Sequence, residues 1–343
     1  MSTRRRRIIF IFPYHNNAYD TIRAVQGQAD VTFLSPKTLA HSIYLKEGID
    51  LKQVVATRWP LLGRWYNWQD LWGNTEGATH IVVKHFWLPE NIVPLLVAWR
   101  RRAKVLVMLQ SKQFLRLTRV VAQLLGIQLF SVVPTDSVPY LPAVIDPARF
   151  ITQSQPVSHT LRLLCVAKYQ RRKNIHVLLD AVSLLKKRHP NVSLELRVVG
   201  MTVDQSYYDE IVHQVEQADV REVFTLETHT TNQQIQRYLA ASDVLVLPAE
   251  REPLGYVVLE AMAAGKPVVT THDVGAAAYV ESGVSGSLVA PGSVQQLATA
   301  LTTYLQRNAP NHQRLAAFGQ AGRALVDKHH SPAVFWRDFE SLL

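Results

Sequence analysis

Residues 161–200 read LRLLCVAKYQRRKNIHVLLDAVSLLKKRHPNVSLELRVVG, and their alternation of periods decides the fold. LRLLCVAK is an apolar run of strand length that ends in a basic loop. IHVLLDAVSLLKKR repeats its apolar residues at three and four, the period of a helix packed on one face. Lys186, Lys187 and Arg188 crowd its last turn, where cations meet the negative end of the helix dipole, and Pro190 stops it. LELRVVG is then a second strand, closed by Gly200. Strand, crossover helix and strand in this order predict a parallel sheet covered by helices.

The same grammar continues in both directions. Downstream come a helix from about Tyr207 to Ala218, the strand VFTLE, the helix QQIQRYLAAS, the strand DVLVLP, the helix VVLEAMAAG, the strand PVVTT, and helices from Val294 and from Asn311. Upstream, IIFIF, VTFL, HIVVKHF, KVLVML and LFSVV are apolar runs separated by helical segments such as NIVPLLVAWRRR and LRLTRVVAQLL. The aromatic stretch RWPLLGRWYNWQDLWGNTE (58–76) interrupts this order and reads as a loop with a short helix. With 343 residues the chain suits two domains. The division falls at the proline-rich segment SVPYLPAVIDPARFITQSQPVSH (137–159), giving domains over 1–141 and 161–343 and a linker over 142–160. The fold class is α/β: two Rossmann-like parallel-sheet domains facing a cleft, where the carboxyl ends of such strands hold ligands.

Composition narrows the class. Hydrophobic residues make up 48% and charged residues 19% of the sequence, which excludes disordered and low-complexity chains. A single cysteine, Cys165, rules out a disulfide framework and a cysteine metal cage and fits a reducing compartment. The apolar run from Ile8 to Phe12 is shorter than a signal peptide needs, which is about seven to fifteen residues, and no run reaches the about twenty of a membrane span. The expected protein is therefore cytoplasmic, soluble or peripheral on the inner face of the membrane. Residues 1–150 carry 19 Lys and Arg against 9 Asp and Glu, so the whole excess of +10 lies there, with six of the seven tryptophans. Such a half suits an anionic partner: nucleic acid, a phosphorylated substrate or membrane headgroups. A solvated basic surface over a tryptophan core is the alternative.

Two constellations could carry chemistry. In VLVLPAEREPLGYVVLEAMAAGKPVVTT, Glu252 stands just ahead of a helix expected to start near Tyr256, and Glu260 lies inside it on the same face. Backbone N–H groups of Leu254, Gly255 and Tyr256 would then sit at a helix N-terminus that suits a phosphate, with the two carboxylates placed to accept from sugar hydroxyls. The plainer reading is a helix-stabilising acid and one exposed Glu. In AKYQRRKN, Lys168 and Lys173 follow a strand and could neutralise a diphosphate, or could belong to a solvated basic turn; Gly200 permits a close backbone approach beside them.

Taken in order, Lys168, Lys173, the strand ending at Gly200, EREPLGYVVLEAMAAGKPVV and VSGSLVAPGSVQQLATAL resemble the carboxyl-terminal half of the family 4 glycosyltransferases, retaining enzymes of GT-B architecture. The resemblance runs from about residue 142 to 343. It implies that Lys168 and Lys173 bind the donor diphosphate, Glu252 the donor sugar hydroxyls and Glu260 the nucleotide ribose, with Leu254, Gly255 and Tyr256 lining the donor and the base near Thr225 to Thr228. It also implies an N-terminal acceptor domain, a C-terminal nucleotide-sugar domain, a last helix that packs back on the first, no metal and no other cofactor. The family's first-loop Gly-Gly is replaced by Pro13, Tyr14, His15, Asn16 and Asn17, and the His that usually ends its KVLVML strand by Gln110. His15, Asn16 and Gln110 are therefore candidates for acceptor or sugar contacts, as is His85 after the strand HIVVKHF, whose plainer reading is a structural hydrogen-bonding histidine. Ala249 stands for the usual Ser, and the acid expected near Ala278 or Tyr279 is missing. The implied activity is transfer of a sugar from a nucleotide-diphosphate sugar to a glycan or lipid-linked acceptor at the cytoplasmic membrane surface. Alternatives are a catalytically impaired homologue that only binds donor, and a nucleic-acid-binding protein using the basic half, for which no standard motif is present.

Overall fold

The computed structural model describes residues 6–11, 19–26, 28–36, 51–54, 56–59, 63–84, 91–109, 115–133, 135–150, 159–305 and 309–343. Contacts divide the chain into two units, 1–145 with 330–343, and 146–329.

In the first unit the apolar runs become β1 (Arg7–Ile11), β2 (Asp30–Pro36), β3 (Leu51–Val54), β6 (His80–Lys84), β7 (Lys104–Leu109) and β8 (Gln128–Ser131), all parallel, in the order β3-β2-β1-β6-β7-β8. Residues of β1 and β6 are buried almost without exception, as a strand covered on both faces requires. The aromatic stretch differs from the sequence reading. Its helix is present as α2 (Trp68–Asn74), but ahead of it β4 (Ala56–Trp59) and β5 (Gly63–Tyr66) pair as an antiparallel hairpin. Thr57, Trp59, Trp65 and Tyr66 are β-branched or aromatic residues that favour a pleated backbone, and they outweigh the turn-like Pro60 and Gly63.

Helices α1 (Tyr19–Val25), α3 (Ile92–Arg101) and α4 (Leu115–Leu124) complete this unit with α11 (Pro332–Glu340), which packs against α1. Phe339 of α11 lies 5.8 Å from Phe10 and 6.1 Å from Phe130, so the end of the sequence is stitched into the first core. Pro94 sits in the first turn of α3, where a missing N–H costs no hydrogen bond.

The second unit repeats the topology. β9 (Thr160–Val166), β10 (Ser193–Val199), β11 (Phe224–Glu227), β12 (Val244–Leu247), β13 (Val268–Thr271) and β14 (Gly286–Val289) form a parallel sheet in the order β11-β10-β9-β12-β13-β14. Its helices are α5 (Ile175–Arg188), α6 (Gln205–Glu216), α7 (Asn232–Ala241), α8 (Tyr256–Ala263), α9 (Val294–Thr302) and α10 (Ala309–His330). Each unit is thus a Rossmann-like sheet whose strand order turns outward from its first strand. Cys165 is buried in β9, where burial pushes its thiol up to about 12 and keeps it unreactive.

Candidate active site

In the second sheet the chain moves one way from β9 to β10 and the other way to β12. The loops leaving the carboxyl ends of β9 and β12 therefore diverge and leave a crevice between them, the place where sheets of this topology hold ligands. Those two loops, residues 167–174 and 248–255, contain five of the residues singled out from the sequence: Lys168, Lys173, Glu252, Leu254 and Gly255.

The loop after β12 is held in place by its neighbours. Asn174 Nδ2 donates to the Pro248 carbonyl at 3.3 Å, the Thr271 hydroxyl donates to the Ala249 carbonyl, and Glu250 N–H donates to the Arg172 carbonyl at 2.9 Å. Glu252 N–H donates to the Asp273 carbonyl at 3.2 Å and its own carbonyl accepts from Gly275 N–H at 3.0 Å. The loop after β9 ends in a single 3-10 turn, Arg171–Lys173, and Asn174 at φ 51° ahead of α5. Asn is among the few residues with a side chain that enter this left-handed region readily. The turn sends its three cations in different directions. Arg171 leaves the crevice, pairing with Glu210 and lying 4.7 Å over the Tyr207 ring. Arg172 and Lys173 turn inward, and both donate to Oε2 of Glu252.

This triad is the chemical centre of the crevice. The Lys173 and Glu252 side chains are only 10% and 14% exposed, while Arg172 is 33% exposed. Burial alone would raise the Glu252 carboxyl, but Lys173 and Arg172 outweigh it and hold the group below its ordinary value, as a carboxylate. Gly255 caps α8 in the left-handed region, at φ 77° and ψ 60°, and a Cβ there would meet Val274 Cγ1 at 2.6 Å. Helix α8 therefore begins at Tyr256 and points its N-terminus at the crevice edge, beside Glu252.

The remaining residues fall less centrally. Lys168, at the start of the β9 loop, is exposed, whereas Lys173 and Glu252 are largely buried. Gly200 lies against the β9 loop: a Cβ there would be 1.8 Å from the Ala167 carbonyl oxygen, so the close approach it permits is to its own chain. Leu254 is buried and accepts from Ala276 N–H at 2.7 Å, Tyr256 is half-buried, and Glu260 is half-buried one turn further along α8. Near the expected base site, the Glu227 carboxylate is engaged by Arg197 and by the Tyr238 hydroxyl at 2.7 Å. His15, Asn16, His85 and Gln110 lie outside the described residues. Arg172 was hidden in the sequence as one of three adjacent cations. Asn174 signals a left-handed turn at this point, but nothing in the run singles out Arg172 from its neighbours.

Residues 149–324, just over half of the chain, match the family described as Glycosyl transferases group 1. The chain belongs to this family. The triad and α8 both lie inside the matched segment of this group 1 glycosyl transferase. It is 30% identical over 130 residues to the D-inositol 3-phosphate glycosyltransferase of Paenarthrobacter aurescens, a match covering 38% of this chain and 32% of that protein. Over 177 residues it is 30% identical to the glycogen synthase of Mycobacterium tuberculosis, covering 51% of this chain and 42% of that one. The matched stretches thus span less than half of these relatives' length. The crystal structure of Anabaena Alr3699/HepE in complex with UDP-glucose superimposes with a TM-score of 0.77 over 98% of this chain and 99% of that one, at 18% identity. At that identity the likeness establishes the fold, two Rossmann-like domains, as the GT-B resemblance implies.

Proposed function

We propose that this chain is a retaining, family 4 glycosyltransferase that uses a nucleotide-diphosphate sugar, without a metal ion, and delivers the sugar to a glycan or lipid-linked acceptor at the cytoplasmic membrane surface. The observation that carries the reading is the meeting of Lys173, Arg172 and Glu252 at the switch point of the second sheet. A cation pair and a helix N-terminus beside one ionised carboxylate match the parts of a sugar diphosphate: negative phosphates and neutral hydroxyls. The names of the relatives and the UDP-glucose bound to HepE support a nucleotide-sugar donor.

In this reading Lys173, Lys168 and the N-terminus of α8 at Gly255 take up charge as the bond between sugar and diphosphate breaks, and Glu252 holds the oxocarbenium-like sugar by its hydroxyls. Glu260 accepts from the ribose. The test is a thermal-shift and turnover screen with UDP, GDP and ADP sugars. One donor should raise the unfolding temperature and release its diphosphate on turnover, while no shift and no turnover with any of them would refute the reading. With the donor known, Glu260→Gln should weaken binding of the free nucleoside diphosphate, because a charged acceptor pair becomes a neutral amide. Unchanged affinity by calorimetry would remove Glu260 from the ribose.

A further inference from the structure

Ten large apolar side chains are exposed among the described residues, and seven of them lie between Trp68 and Leu125 in the first unit. On α3, Ile92, Leu96 and Trp99 recur at four and three and form one outward stripe, with Trp99 73% exposed. On α4, Val120 and Leu124 form a second, with Leu124 80% exposed and Leu125 following it. The inner faces of α2, α3 and α4 share one core, through Leu71, Val97 and Ala122, so the three helices lie on the same side of the sheet and their outer stripes share one surface. The stretch that contains α3 and α4 is also strongly basic in sequence. Between Asn91 and Thr135 the sequence has seven Lys or Arg and no Asp or Glu.

We propose that the outer face of α3 and α4 is a docking surface for an anionic lipid bilayer. Trp99, Leu96 and Leu124 would enter the headgroup boundary, while Arg100 and Arg102 stay among the lipid phosphates. A basic helix with exposed Trp and Leu gains from both the hydrocarbon and the negative surface potential. Nucleic acid fits the charge but not the aliphatic stripe, because bases stack on aromatic rings and guanidinium planes rather than on Leu, Ile and Val. The structure also separates the cations of the Arg100–Arg102 run. Arg101 lies 3.7 Å over the Trp72 ring and donates to the Trp72 carbonyl at 2.6 Å, so it braces α3 on α2. Arg100 and Arg102 are the exposed ones, and Arg102 ends the helix at φ 54°. Among the described residues no helix is long and apolar enough to cross a membrane, so docking would be peripheral. The face deepens the acceptor part of the reading above and is independent of the donor chemistry.

The experiment is sedimentation of the full chain with phosphatidylglycerol vesicles and with phosphatidylcholine vesicles. The protein should pellet with the first and not the second, and salt should reduce the bound fraction. Trp99→Ser with Leu124→Ser, and separately Arg100→Gln with Arg102→Asn, should each weaken binding by roughly tenfold or more. Asn suits the left-handed position. Thermal unfolding with nucleoside diphosphate serves as the folding control and should be unchanged in both. Quenching of wild-type tryptophan fluorescence by brominated lipid reads insertion without any variant. Wild-type protein left in the supernatant with phosphatidylglycerol at low salt overturns the proposal, as does unaltered binding by both variants. A dimer that the Ser pair converts to monomer also overturns it, because a second copy would then be the occupant. Loss of vesicle binding would leave the transferase reading standing, since nucleotide binding is measured in the same samples.

Discussion

Replacing Glu252 by Gln is expected to act with opposite sign on the two halves of the donor. Glu252 occupies both Lys173 and Arg172. A diphosphate must draw Lys173 away from that carboxylate and settle beside its negative charge. Gln keeps the shape and removes the charge, so a free nucleoside diphosphate should bind several-fold more tightly. Transfer should fall by about ten- to a hundredfold, because the charged acceptor of the sugar hydroxyls, a contact of about 1.5–3 kcal/mol, is gone. Calorimetry with the diphosphate and turnover with the true donor give the two numbers. A variant that transfers at the wild-type rate, or binds the diphosphate more weakly, would sink the assignment of Glu252. The same pair sets a pH dependence. Because Lys173 and Arg172 depress the Glu252 carboxyl, its contribution to stability is fully present above the ordinary glutamate value of about 4.3 and is lost as pH falls through the lower folded value. Thermal unfolding of wild type and Gln variant should therefore converge on acidification.

How far the sequence foretold this site depends on the range of the interactions. The sheet was legible because a strand buried on both faces must be apolar throughout and its crossover helix must be apolar on one side, and LRLLCVAK followed by IHVLLDAVSLLKKR obeys both within one window. The start of α8 at Tyr256 was legible too, since Gly255 and Pro253 are the two residue types least suited to a helix interior. The pairing of Arg172 with Glu252 was not. The two are 80 residues apart, and only the adjacency of β9 and β12 brings them together. Within the run Arg171, Arg172 and Lys173, composition is blind to which cation turns inward. That is set by one tight turn and a left-handed Asn174. The hairpin at residues 56–66 was missed for a related reason, because its strands are four residues each and pair with each other, so no crossover helix announces them.

Gly200→Ala is expected to be among the most damaging small changes in the second unit. An added Cβ would sit 1.8 Å from the Ala167 carbonyl oxygen and 2.6 Å from its carbon, and both are backbone atoms. Neither can swing aside as a side chain would. The surroundings are also tied down: Ala167 N–H donates to Val199 at 2.9 Å, Gly200 N–H to Glu227 at 2.9 Å, and Tyr169 N–H to Met201 at 3.0 Å. Relief therefore requires parting the carboxyl ends of β9 and β10, at a cost of about 3 kcal/mol or more, the upper range for overpacking. For a unit of this size that lowers the unfolding temperature by roughly 5–10 °C. The loop that would be displaced carries Lys173, so nucleoside diphosphate affinity should fall together with stability. Gly322→Ala is the matched control. It lies inside α10, where a Cβ would meet nothing closer than Met262 Cγ at 3.4 Å, and a helix gains from Ala, so stability should be unchanged or slightly higher. If Gly200→Ala melts with the control and binds diphosphate as the wild type does, then the β9 loop is free to move, and the preset geometry of Lys173 against Glu252 does not depend on the glycine.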